Sequence, residues 1–260
     1  MEKDSPPSII PKEYIIAFVL VTSLFFLWGI AHYLNDLLIK QFQKALSLSR
    51  SDASLVQTFF YLAYFVVPIP AGYLMKKYGF KTSMLTGLFL YAAGSILFYP
   101  AAEVRDFSFF LTALFIIGSG IIFLEMSGGN YITLTGDPSV ATRRLNLSQS
   151  FNGLGSAITP FLGGLFIFSG IEYSATELAA LTPAALDAYQ ASEAKQVQMP
   201  YLAVAALVLV IAFLVAITKF PPRSSENSRS KKVSWKGLFS KKTFVWAVIA
   251  QLFYVGAQIG

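Results

Sequence analysis

Apolar residues in this chain come in long runs broken by short polar turns, neither alternating as in a strand nor striped as on a soluble helix. Six runs are long enough to span a bilayer at 1.5 Å per helical residue, over about 14–38, 53–75, 80–102, 107–131, 145–170 and 199–218. A seventh begins near Thr243 and continues to Gly260. Only helices and closed barrels satisfy their backbone in lipid, and runs of this length predict helices. The pattern therefore predicts an all-α integral membrane protein with a six-helix bundle over residues 1–218. A basic linker follows over 219–242, and the start of a seventh transmembrane helix over 243–260.

Composition sharpens this picture. Of the 260 residues 55% are hydrophobic and only 13% charged, half the charge of an ordinary soluble domain. Cysteine is absent, which excludes disulfides and thiolate chemistry. The net charge of +6 does not imply nucleic acid as a partner, because the basic residues sit in loops beside apolar runs. With the N-terminus in the cytoplasm, fifteen of the 20 Lys and Arg residues fall on the cytoplasmic side. These include Lys76, Lys77 and Lys81, Arg143 and Arg144, and eight in the linker. The positive-inside rule thus predicts a cytoplasmic N-terminus and an outward-facing loop over 172–198. The linker KFPPRSSENSRSKKVSWKGLFSKK has the proline, serine and charge of a connection between two bundles, and anionic lipid is a second partner for it.

The chemistry lies in a few polar groups inside the runs. Glu125 is the single carboxylate between Asp106 and Asp137. An acid at that depth costs about 2.5–3.5 kcal/mol on insertion scales and marks a functional site by default. The first run carries His32, Asn35 and Asp36, with His32 and Asp36 four apart on one helical face. Asp36 also stands four before Lys40, so it serves either a cavity or an interfacial pair. His32, the sole histidine, is either a satisfied polar residue or a proton-handling one. In the fifth run Gln149 and Asn152 share a face, suited to sugar hydroxyls or to interhelical hydrogen bonds. Gly155, Thr159 and Gly163 form a small-residue stripe for close helix packing. No nucleotide-binding glycine loop, metal-ligand cluster or serine–histidine–acid set is present, so no cofactor is expected and an enzyme is not supported. The parts suggest proton coupling: Glu125 would hold a proton, release it when water arrives from inside, and bias which side opens.

The blocks SLFFLWGIAHYLNDLLIKQF, SLVQTFFYLAYFVVPIPAGYLMKKYGFKT, LFYPAA, FLE, RRLNLSQSFNGLG, ITPFLGG and AQLFYVGAQIG resemble the fucose–galactose–glucose:proton symporter family of the major facilitator superfamily. The resemblance implies a twelve-helix transporter of the bacterial inner membrane, made of two six-helix bundles around a central sugar cavity. Each bundle would be a 3+3 repeat, although similarity between the two triplets is weak. It implies proton-coupling roles for Glu125 and Asp36. Asp36, Asn35, Glu125, Gln149, Asn152 and His32 would bind a monosaccharide, L-fucose or a related hexose. Family members for other hexoses often have glutamine where Glu125 stands, so the acid points to fucose. Two positions depart from the fucose-type pattern, which has asparagine where Gly129 and His32 stand here. Lys76 replaces an aspartate of the wider superfamily. The second bundle is missing, so the chain is expected to be a piece of a longer protein or one half of a split transporter.

Overall fold

The computed structural model describes residues 8–10, 12–167, 170, 173–220, 237 and 239–259. Most of the basic linker lies outside them. The chain forms two compact units, Met1–Phe220 and Pro221–Gly260.

In the first unit the elements are α1 (Ile15–Leu46), the one-turn α2 (Arg50–Ala53), α3 (Leu55–Val66), α4 (Pro68–Val104) and α5 (Phe107–Leu134). They are followed by α6 (Ala141–Phe166), α7 (Ala175–Ala180), α8 (Pro183–Lys195) and α9 (Gln198–Ile217). The second unit contains α10 (Lys242–Ile259), where the seventh run was expected. Among the described residues, Lys12–Leu46, Pro68–Val104, Phe107–Leu134 and Pro183–Ile217 are long and apolar enough to cross a membrane by length and composition. The other two expected spans are helical as well. The fifth, α6, falls short on apolarity because it carries Arg143, Arg144, Asn146, Gln149 and Asn152.

The second and third spans are joined by a glycine. Val67 keeps helical angles and its N–H bonds to the carbonyl of Ala63, so α3 runs on into the first turns of α4. Gly79, at φ 86° and ψ 175°, then breaks α4 in two. That region of backbone space is essentially glycine's alone. Pro68 and Pro70 sit just upstream and leave the carbonyls of Tyr64 and Val66 without helical N–H partners.

Helices α1 and α5 occupy the middle of the bundle. α6 packs along α1, α3 along α5, and α9 along α4. The small residues let backbones meet: a Cβ on Gly155 would lie 2.5 Å from the carbonyl oxygen of Phe26 in α1, and one on Gly120 2.6 Å from that of Gly87. On the far side Phe98 of α4 stacks on Tyr201 of α9 at 3.8 Å between ring centres, and Phe42 of α1 meets Phe110 of α5 at 4.5 Å.

Replacing Gly155 by alanine should therefore drive α1 and α6 apart at a cost of about 1–3 kcal/mol. A Cβ on Gly153, two residues earlier, meets nothing within 4 Å, and alanine there should be neutral or slightly stabilising. Thermal unfolding of the two variants in detergent would compare them; equal melting temperatures would contradict this packing.

The two ends of the bundle differ in charge. At one end Lys81 Nζ donates to the carbonyls of Ala216 and Thr218 at 2.7 and 2.9 Å, closing the C-terminus of α9. Arg144 at the same end is only 1% exposed. It donates to the carbonyls of Ile132, Asp137 and Ile9 at 3.1, 3.0 and 3.4 Å, joining the start of α6 to the end of α5 and the N-terminal segment. Hydrogen bonds from Ser139, with Arg144 nearby, hold the Asp137 carboxyl below its usual range. Arg144 is thus a buried clamp as well as a basic residue beside a span.

At the other end the expected outer loop is helical. Ser174 and Glu177 form a capping box on α7, and Thr182 followed by Pro183 starts α8. Arg105 pairs with Asp187 at 2.7 Å and Lys195 with Glu103 at 3.6 Å. Glu193 in this loop is fully buried and accepts from Gln41 Nε2 of α1 at 2.9 Å. The end of α8 thus docks its acid against α1.

Candidate functional site

The second half of α1 places His32, Asn35 and Asp36 on successive turns, and α3 runs alongside it. Gln57 of α3 reads two of them at once. Its Nε2 donates to Asp36 Oδ1 at 2.6 Å while its Oε1 accepts from Asn35 Nδ2 at 2.8 Å. Because a side-chain amide has one donor end and one acceptor end, this arrangement fixes which way Gln57 points. Asn35 is buried and Asp36 exposed, so the ladder leads from the bundle interior to its surface. Asn35 Oδ1 is buried without a partner.

One and two turns further along α3, Phe60, Tyr61 and Tyr64 enclose the imidazole of His32. Ring centres lie 5.3, 6.4 and 5.8 Å from it, and Trp28 of α1 closes the fourth side at 5.9 Å. His32 Nε2 meets the Tyr64 hydroxyl at 3.0 Å and the Trp28 indole nitrogen at 3.4 Å, while Nδ1 meets the Trp28 carbonyl at 3.0 Å. The Glu125 carboxyl of α5 lies near enough to interact electrostatically with the Tyr64 hydroxyl. The second carboxyl oxygen, Oε2, is buried with no hydrogen-bond partner. A polar wall thus forms across α1, α3 and α5, with Asp36 and Glu125 at its two ends. Among the described residues no cluster of His, Cys, Asp and Glu could hold a metal ion.

Four of the six residues singled out in the sequence stand on this wall: His32, Asn35, Asp36 and Glu125. The other two do not join it by hydrogen bonds among the described residues. Asn152 Nδ2 donates to the carbonyl of Phe25 at 3.3 Å, tying α6 to α1, and Gln149 is exposed on α6. Asn130 spends its amide on the carbonyl of Met126 at 2.7 Å, and Gly129 leaves open space where the related pattern has a side chain. The residues missed were Gln57, Tyr61 and Tyr64. Their signal was available: 57, 60, 61 and 64 recur as i, i+3, i+4 and i+7, one face of a helix.

Comparison with known proteins follows the same lines. Residues 14–260 match the Major Facilitator Superfamily model. The chain is 43% identical to the L-fucose-proton symporter of Escherichia coli (strain K12), over 99% of the chain and 60% of that protein. It is 36% identical to a glucose/galactose transporter of Brucella abortus, over 95% of the chain and 57% of that protein. A crystal structure of the major facilitator transporter FucP in the outward conformation superposes with a TM-score of 0.80 at 43% identity, covering 95% of this chain and 61% of that one. The chain therefore spans about 60% of the length of the relatives it matches.

Proposed function

Because the chain belongs to the major facilitator superfamily, we propose that it forms the sugar-binding and proton-coupling half of a monosaccharide importer, driven by protons and specific for L-fucose or a related hexose. The observation that carries this reading is the wall of α1, α3 and α5, which brings the Asp36–Gln57–Asn35 ladder and the His32–Tyr64 pair with Glu125 together on a chain so close to L-fucose-proton symporters.

Sugars need directional hydrogen-bond partners and an apolar surface for their C–H face. Asp36 offers an exposed carboxylate whose Oδ1 is already oriented by Gln57. Tyr61 is exposed beside it and gives a ring face for stacking. Glu125 Oε2 and Asn35 Oδ1 are acceptors without partners, which a sugar hydroxyl would satisfy. Gln149 and Asn152 on α6 extend the amide supply across α1. A second six-helix bundle would close the cavity from the opposite side, and rocking between the two would open it to each face of the membrane in turn.

The protein is proposed to sit in the bacterial inner membrane with its N-terminus in the cytoplasm. The clustering of Lys81 and Arg144 at the end of the bundle that holds the N-terminal segment supports that orientation. An impermeant reagent should label Lys77→Cys only after cells are opened, and labelling of intact cells would reverse the topology.

Transport itself is tested in a chimera that joins these residues to the part of the E. coli L-fucose-proton symporter beyond the match. In membrane vesicles it should concentrate labelled L-fucose when a proton gradient is imposed and merely equilibrate it when the gradient is collapsed. Concentration that ignores the gradient would refute proton coupling, and failure to compete with any hexose would refute the substrate class.

A further inference from the structure

Asn35 and Asp36 are neighbours on α1, and successive side chains on a helix diverge by about 100°, so the two do not face each other. A third group has to bridge them, and Gln57 of α3 does so with both ends of its amide. The bridge has one polarity. Asp36 Oδ1, at 2.6 Å, receives the amide N–H of Gln57, because two acceptor oxygens at that distance would repel. The Gln57 oxygen is then left facing Asn35, whose Nδ2 donates to it at 2.8 Å. The two ends differ in freedom: Asn35 is 1% exposed and held within the bundle, Gln57 is half-buried, and Asp36 is exposed. Order therefore passes outward, from Asn35 through Gln57 to Asp36. Among the described residues Asp36 accepts one hydrogen bond, and it is this one. Without it the carboxyl on that exposed flank would turn freely about its side-chain torsions.

Resting on the sugar-binding role proposed above for Asp36, we infer that Gln57 is a positioning residue: it occupies Asp36 Oδ1, holds the plane of the carboxyl through the buried anchor at Asn35, and leaves Oδ2 as the one oxygen offered to a sugar hydroxyl. Gln57 touches no sugar in this arrangement. Its contribution is to order the acceptor before the sugar arrives, so that binding does not have to do so.

One other side chain of the same length reproduces the polarity of this amide. A protonated glutamic acid has an O–H on one oxygen and a carbonyl on the other, so Gln57→Glu makes both bonds while it holds a proton. Once the proton leaves, two carboxylates face each other at hydrogen-bond distance and repel. Gln57→Glu is therefore a copy of glutamine in acid and a broken bridge in alkali, whereas Gln57→Leu lacks the donor at every pH. The ionisable groups nearest Asp36 are His32 and Lys40, one turn before and after it on α1, and Tyr61 of α3. From α2, Asp52 is bonded by Ser49. From α8, Glu193 is bonded by Gln41, while Asp187 and Lys195 pair with Arg105 and Glu103. Glu125 of α5 stands at the far end of the wall, Arg143 and Arg144 of α6 lie at the opposite end of the bundle, and α9 carries no charged residue.

Equilibrium binding of labelled L-fucose to the chimera in detergent, from about pH 5 to about pH 9, tests this. Each variant is read as a ratio to the unmutated chimera at the same pH, so that whatever Glu125 contributes divides out. Gln57→Leu should bind on the order of tenfold more weakly at every pH. Gln57→Glu should match the unmutated chimera at the acid end and fall to the Gln57→Leu level at the alkaline end. Combined with Asp36→Asn it should lose that pH dependence, because the introduced asparagine donates to the introduced glutamate without a shared proton. A second measurement needs no sugar. In the 260-residue chain in lipid nanodiscs, Gln57→Glu should add a protonated-carboxyl infrared band that persists to higher pH than in the double variant. A merely structural glutamine would give equal losses in Gln57→Leu and Gln57→Glu at every pH, and that result would overturn the inference. So would Gln57→Leu binding as well as the unmutated chimera, or a carboxyl band that titrates identically in the single and double variants. The substrate reading fails separately: if the unmutated chimera binds no hexose, that reading falls, and the hold of Gln57 on Asp36 is decided by the infrared band.

Discussion

Glu125→Gln in the chimeric transporter is expected to abolish uphill accumulation of L-fucose, leaving inside and outside concentrations equal, while exchange of labelled for unlabelled sugar continues. Glutamine has nearly the shape of glutamic acid and, like the protonated acid, has one donor end and one acceptor end. It cannot release a proton. The sugar-loaded states remain reachable, and the step that binds sugar movement to proton movement is removed. Counterflow and gradient-driven uptake measured in the same vesicles separate these two properties. The neutral amide also removes the cost of a charge at membrane depth, so the variant should express and fold.

Asp36→Asn is expected to behave differently and to slow exchange as well as accumulation. Asp36 lies at the exposed end of the α1–α3 ladder, where Gln57 holds one oxygen and leaves the other to accept from a sugar hydroxyl. A hydrogen bond to a charged acceptor contributes about 1.5–3 kcal/mol, so losing the charge should slow exchange roughly 10- to 150-fold at low sugar concentration. The amide also brings a donor that competes with the Gln57 donor for orientation. Counterflow at rising L-fucose concentration is the measurement. An unchanged rate at low sugar would remove Asp36 from the binding site.

These two acids were legible in the sequence because each interrupts an apolar run, where a charge is costly enough to need a reason. The helices were legible for the same cause: bilayer thickness sets a minimum run length, and the observed elements begin and end near the predicted spans, except that α1 continues to Leu46 and α3 passes into α4 at Pro68, inside the second span. What escaped notice lay where the apolar signal hides polarity. Tyr61 and Tyr64 count as hydrophobic in a run such as QTFFYLAYFVV, yet the Tyr64 hydroxyl bonds His32 and the Tyr61 ring packs beside it. Gln57 sits at the start of the same run and passes for an interfacial residue. Recognising them needs the register between α3 and α1, which no local pattern carries. Arg144 misled in the opposite direction. As one of many basic residues beside a span it served only to set orientation, whereas its guanidinium is folded into the bundle, where Nε and Nη1 donate to three carbonyls. The amides of α6 show the same dependence on tertiary placement. Asn152 holds α1 and α6 together through the Phe25 carbonyl, a use indistinguishable in sequence from contact with sugar.

The most direct test of the central claim follows protons and sugar together. L-fucose added to lightly buffered, de-energised vesicles containing the chimera should draw protons inward and make the external medium transiently alkaline. The same addition to vesicles containing the Glu125→Gln variant should leave external pH unchanged although sugar still exchanges. Fucose entry into the unmutated chimera without any alkaline transient would contradict the account.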